Sequence, residues 1–170
     1  MPHPLVTQLQ FTRSEFKRGL LGVTDEEARR RFEPMNCISW IIAHLASQEQ
    51  RYWLTAQSGH ILVPAVNEYA AYGRPATTPP LDEMWAAWEA ITQETNQFLN
   101  TVTSDMLTTH FVVNGNPIPE SIGSMLRRVT YHYWYHTGES QAIRQLLGHR
   151  NLPEFVGAIH AEAPYVPETD

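Results

Sequence analysis

Residues 121–147 carry the pattern that constrains this chain most. Met125, Val129, Ile143 and Leu147 recur on one stripe of a helix that Gly148 ends, and His132, His136 and Glu139 fall inside that stripe. At about 100° per residue, with His132 at zero, Met125 and Ile143 sit near 20°, His136 near 40° and Glu139 near −20°. The i, i+4 spacing stacks the two histidines on one face, their β-carbons roughly 6 Å apart. Burying two imidazoles and a carboxylate among apolar side chains costs several kcal/mol unless they are paired, hydrogen-bonded or metal-bound. The pair is therefore either a metal site or a set of satisfied core histidines.

The rest of the chain has room for both readings. Its 170 residues suffice for one domain with a sizeable core. With 42% hydrophobic and 18% charged residues it reads as globular. A formal charge of −6 argues against a nucleic-acid binder, which needs a basic stripe. The lone Cys37 excludes an internal disulfide framework. No signal peptide is legible at Met1-Pro2-His3-Pro4, and no apolar run reaches membrane-spanning length. A soluble cytoplasmic protein is the expectation.

Three other stretches have helical periodicity. Residues 4–21 place Leu5, Leu9, Phe16 and Leu20 on one stripe, with Arg13, Glu15, Lys17 and Arg18 mostly off it. Residues 37–57, capped by Asn36, place Ile38, Ile41, Leu45 and Tyr52 on another and end at Ser58-Gly59. Residues 81–102 repeat Leu81, Trp85, Trp88, Ile91, Thr95, Phe98 and Val102 at steps of three and four. Thr24 and Glu27 form a capping-box signature for a short helix between the first two. The Pro- and Gly-bearing connections at 59–79 and 103–120 read as irregular, with a hairpin signal at Asn114-Gly115 in the second. A turn of helix is expected near 152–157, then an extended segment through 163–167. Four long helices without a strand series predict an all-α four-helix bundle as one domain over 1–170, with its core at about 4–148 and a tail at about 149–170.

His44 lies on the second long helix at the edge of its apolar face, in line with Trp40, Gln48 and Arg51. In bundles, facing helices build metal sites from inward side chains. Three imidazoles from two helices, with open positions left over, make a catalytic type of coordination. His3, His60, His110, His149 and His160 fall in termini, loops or helix ends, where surface or capping roles suffice. Cys37 reads as a core thiol about two turns before His44.

The stretch Asn36-Cys37-Ile38-Ser39-Trp40-Ile41-Ile42-Ala43-His44-Leu45, followed by His132-x-x-x-His136-Thr137-Gly138-Glu139 and by Ala142 to Gly148, resembles the DinB-like (YfiT-like) superfamily of metalloenzymes. The resemblance covers most of the chain in layout. It implies a four-helix bundle, often a homodimer, in which His44, His132 and His136 bind a divalent ion. Zinc, nickel or iron suits three imidazoles, with zinc or nickel favoured. The family often has Gln where this chain has Glu139, which stays open as a carboxylate that orients a histidine, a fourth ligand, a catalytic base or a bystander.

Relatives so resembled include S-transferases and isomerases that use low-molecular-weight thiols. The resemblance therefore implies a small-molecule substrate, use of such a thiol, and transferase chemistry. A non-catalytic metal-binding or dimerisation bundle and a metal-dependent hydrolase are the alternatives. Arg51 is placed to pair with a substrate carboxylate or simply to snorkel at the bundle end, and Gln48 and Trp40 are candidates to line the cavity.

Overall fold

A computed structural model of the chain describes residues 2–167. Positions 1 and 168–170, included in the expected domain and tail, lie outside the described residues. The fold is all-α apart from one two-stranded ribbon.

Helix α1 spans Pro4–Gly19, with the imidazole of His3 accepting from the Leu5 N–H at its start. The short α2, Asp25–Arg29, carries the expected capping box in full. Helix α3, Ile38–Gln50, runs on through a π-helical turn at Arg51–Thr55 into α4, Ala56–Ser58. Its N-cap is Cys37 and not Asn36, and no side chain caps it. Gly59, in the left-handed region at φ 74°, ends the run where Ser58-Gly59 predicted.

The connection after Gly59 departs from expectation. Pro64–Ala70 forms a helix, α5, with Val66 and Ala70 buried against α3. Pro64 reads as a breaker in the sequence, yet it sits at the first helical turn, where its missing N–H costs nothing. Helix α6 spans Leu81–Leu99. A 3₁₀ turn at Asp105–Thr108 leads into the ribbon of β1, Val112–Val113, and β2, Asn116–Pro117. Asn114 and Gly115 both have positive φ in its turn, as an Asn-Gly hairpin requires. Helix α7 spans Ile122–Leu146, and Ser121 caps it through its hydroxyl.

No helix forms at 152–157. The C-terminal turn, α8, lies at Ile159–Glu162 instead, and residues 164–167 carry no regular structure. The segment before α8 is held to α1 by polar contacts: Arg18 donates to the Glu154 carbonyl, and the Gly157 N–H donates to Glu15 at 2.8 Å. These contacts override the weak local helical pattern.

Helix α3 packs on α6 and α5, α1 packs on α7, and α3 meets α7. The core between them is aromatic: Phe16 stands edge-on to Tyr133 at 5.6 Å, and Trp85 edge-on to Trp88 at 5.4 Å. Helix α3 is buried on nearly every side, so its apolar stripe understates its place at the centre.

Two polar residues of α1 expected outside the stripe are buried. Arg13 makes a bidentate pair with Glu49 of α3, with both N···O distances 2.7 Å, and also donates to Thr95 and Asn96 of α6. Burial works against the Arg13 guanidinium, but the Glu49 carboxylate outweighs it and raises its pKa. The Tyr133 hydroxyl, which accepts from Trp88 Nε1 at 2.8 Å, completes this cluster; burial first, then the Glu49 charge, raises its pKa. Glu49 is the only acidic residue between 37 and 57. A lone carboxylate in so apolar a helix was the signal that a buried cation faces it.

Candidate functional site

Helices α3 and α7 bring His44, His132 and His136 together. One ring nitrogen from each lies within 4.8 Å of those of the other two. The His132 and His136 rings stand edge-on with centroids 4.5 Å apart, and His44 lies 5.1 Å and 5.2 Å from them. His44 and His136 are buried and His132 is half-buried. The i, i+4 spacing on α7 sets one side of the cluster, and the α3–α7 packing supplies the other.

Hydrogen bonds fix two of the rings. His44 Nδ1 lies 2.8 Å from the carbonyl oxygen of Ala70, at the end of α5. A carbonyl only accepts, so Nδ1 carries the proton and Nε2 presents a lone pair. His136 Nδ1 lies 2.7 Å from a carboxylate oxygen of Glu139, which fixes the same tautomer. The free Nε2 of His136 faces His132 Nε2 at 3.0 Å. His132 Nδ1 is buried and has no partner among the described residues.

This donor set fits a divalent cation. Two imidazoles bound to one ion at about 2.0–2.1 Å each put their nitrogens roughly 3 Å apart, which is the spacing between His132 and His136. Desolvation lowers the pKa of His44. Desolvation, with the neighbouring His136 and His44 behind it, lowers that of His132 to about 3. Both therefore stay neutral at pH 7, the state in which imidazole binds metal. The carboxylate on His136 and the carbonyl on His44 are contacts of the kind that orient histidines in metal sites.

The other sequence candidates fall around this cluster in different ways. Trp40 stacks on the His44 ring at 4.7 Å and 12°, so it covers a ligand face without lining the adjoining cavity. Gln48 and Arg51 do line that cavity, of about 390 Å³, together with His44. Arg51 is exposed, and its guanidinium lies 5.7 Å from the Tyr52 ring. Glu139 contacts His136 directly. Cys37 is buried beside Ser39 and the Thr77 carbonyl. Sequence reasoning missed Ala70, because a backbone carbonyl leaves no trace in residue type, and it missed Tyr72 and Arg74, which complete the cavity from a connection read as irregular.

A family model for the DinB superfamily matches residues 8–140, a span that takes in all three histidines. The chain belongs to the DinB superfamily. Among solved structures, it is similar to the conserved protein of a locus from Enterococcus faecalis, with a TM-score of 0.64 and 15% sequence identity. That match covers 85% of this chain and 96% of the other and speaks for the fold alone. No curated protein matches the chain. DinB membership and the three-histidine cluster are together compatible with a metal-binding protein. No helix is long and apolar enough to cross a membrane among the described residues.

Proposed function

We propose that this DinB-superfamily chain is a metal-dependent enzyme that activates a small thiol for transfer to a second small molecule. The convergence of three imidazoles, two with Nδ1 already committed to Ala70 and Glu139, carries the reading. His44, His132 and His136 would hold the ion, with zinc or nickel favoured over iron. A divalent ion held by neutral ligands would lower the pKa of a thiol or of water in an open position.

The protein's own groups have separate tasks in this reading. Glu139 holds the His136 ring by accepting a hydrogen bond from its Nδ1–H, so its role is positioning. The Ala70 carbonyl does the same for His44. Trp40 shields one face of His44 from water. Gln48 and Arg51 contact the substrate in the adjoining cavity.

The four long helices α1, α3, α6 and α7 form a four-helix bundle in this account, one domain across residues 1–170. The exposed Tyr131 and Tyr135 on α7 offer apolar surface for a homodimer. A cytoplasmic location belongs to the same reading, supported by the lone cysteine.

The test is turnover of an electrophilic acceptor by zinc- or nickel-loaded protein over a range of small-thiol concentrations. Rate saturation in thiol that disappears in His132→Ala supports the proposal. Turnover at the same rate without thiol would assign a hydrolase, and no turnover with any thiol would leave a non-catalytic bundle; either result overturns it.

A further inference from the structure

The charged side chains that line the cavity beside His44 are cationic. Two arginines line it, Arg51 from the π-helical turn after α3 and Arg74 from the turn after α5, and no carboxylate does. This is unusual in a chain with 18 acidic residues against 12 basic ones. Among the described residues neither Arg51 nor Arg74 pairs with a carboxylate, a state they share with Arg30, Arg127, Arg144 and Arg150, so both charges at this cavity are left for a ligand.

The neutral groups around them are ready for a polar ligand. Asn67 accepts from the Ser47 hydroxyl at 2.8 Å, which leaves its amide N–H groups to donate. Gln48 Oε1 is buried and has no partner among the described residues, so it can accept from a donor on the same ligand. Tyr72 is 90% exposed at the cavity rim. So large an aromatic surface gains little from water and much from a ligand beneath it.

The turn that carries Tyr72 and Arg74 is built, not loose. The Arg74 N–H donates to the Ala71 carbonyl at 3.0 Å, and Gly73 supplies the positive φ of 80° that reverses the chain. Its first residue follows Ala70, whose carbonyl orients His44. One short stretch thus positions both a candidate metal ligand and a cation directed at the neighbouring cavity.

We propose that this cavity is the substrate-anion subsite of the three-histidine centre, taking a small oxyanion, carboxylate or phosphate, between Arg51 and Arg74. The proposal rests on the metal-dependent reading for its place in the reaction, but the anion site itself stands on the cavity. Guanidinium forks match both oxyanions in bidentate fashion. Bound there, the anionic end of a substrate leaves its reactive end beside His44. Arg74 is then a specificity determinant that no motif in the sequence marks.

The experiment is calorimetric titration of the zinc-loaded full chain with succinate, with inorganic phosphate and with uncharged succinamide. Saturable binding of succinate or phosphate, absent with succinamide and weakened at least tenfold by Arg74→Met and by Arg51→Met, is the expected result. Tighter succinate binding assigns a carboxylate, and tighter phosphate binding assigns a phosphate. Zinc content is measured on every variant, and each titration is repeated on metal-free protein. Unchanged zinc content in both arginine variants shows that the site is folded, so equal anion affinity in them and in wild type overturns the subsite, as does absence of binding to both anions. Failure of wild type to take up zinc overturns the metal reading separately, since the metal-free titration still reports on the arginines.

Discussion

Glu139 accepts a hydrogen bond from His136 at 2.7 Å, three residues away on the same face of α7. The bond leaves His136 Nε2 as a lone pair directed at the histidine cluster. Without it, the ring is free to rotate and to exchange tautomers. Outer contacts of this kind are worth about 10- to 100-fold in metal affinity. Glu139→Ala is therefore expected to weaken zinc binding by that range in competition with a chelator, with the thermal midpoint of the metal-free protein little changed. Glu139→Gln keeps an acceptor oxygen and is expected to fall between the two. Equal zinc affinity in all three proteins would show that the carboxylate does not position the ring.

The Arg13–Glu49 pair joins α1 to α3, and both side chains are almost wholly buried. Removing one partner strands a charge in the core, a loss of about 3–5 kcal/mol. Glu49→Gln should accordingly lower the thermal midpoint by roughly 6–20 °C for a chain of this size. The double variant Arg13→Met with Glu49→Leu should lose less than Glu49→Gln alone, because no charge is left unpaired. A single variant that melts within a degree of wild type would contradict this account of the core.

Glu27 supplies a pH dependence of known sign. The Thr24 backbone N–H, and behind it His149 and the Thr24 hydroxyl, hold its carboxyl at about 2, below the ordinary 4.5. A carboxyl with a depressed folded pKa adds stability above its unfolded pKa and loses it as pH falls through the folded one. Glu27→Gln keeps the capping-box geometry but removes the charge, so it should melt lower than wild type at pH 7. The difference should narrow between pH 4.5 and 2. Melting curves across that range check it, and a gap that stays constant would mean the charge of Glu27 contributes nothing.

What could be read from the sequence followed from how local each feature is. The long helices, the Thr24–Glu27 box and the Asn114-Gly115 turn are written in short-range periodicity and turn chemistry, and all appear in the structure. His132 and His136 were legible because polar residues in an apolar stripe need an explanation, and His44 because its helix offered a facing imidazole. Helix α5 was not, since Pro64 carries the same letter as a breaker and as a first-turn residue. The burial of Arg13 and Glu15 depends on partners 36 and 142 positions away, Glu49 and Gly157, which no local pattern reports. The Ala70 carbonyl and the turn bearing Arg74 belong to the same class: tertiary placement alone gives them a role.

The central claim is that His44, His132 and His136 hold one divalent ion. Elemental analysis of untagged protein, purified without exposure to an immobilised metal, tests it most directly. The account predicts close to one zinc or nickel per chain in wild type, and loss of that metal in His132→Ala while the helical circular-dichroism signal is kept. The same substoichiometric metal in wild type and variant would contradict it.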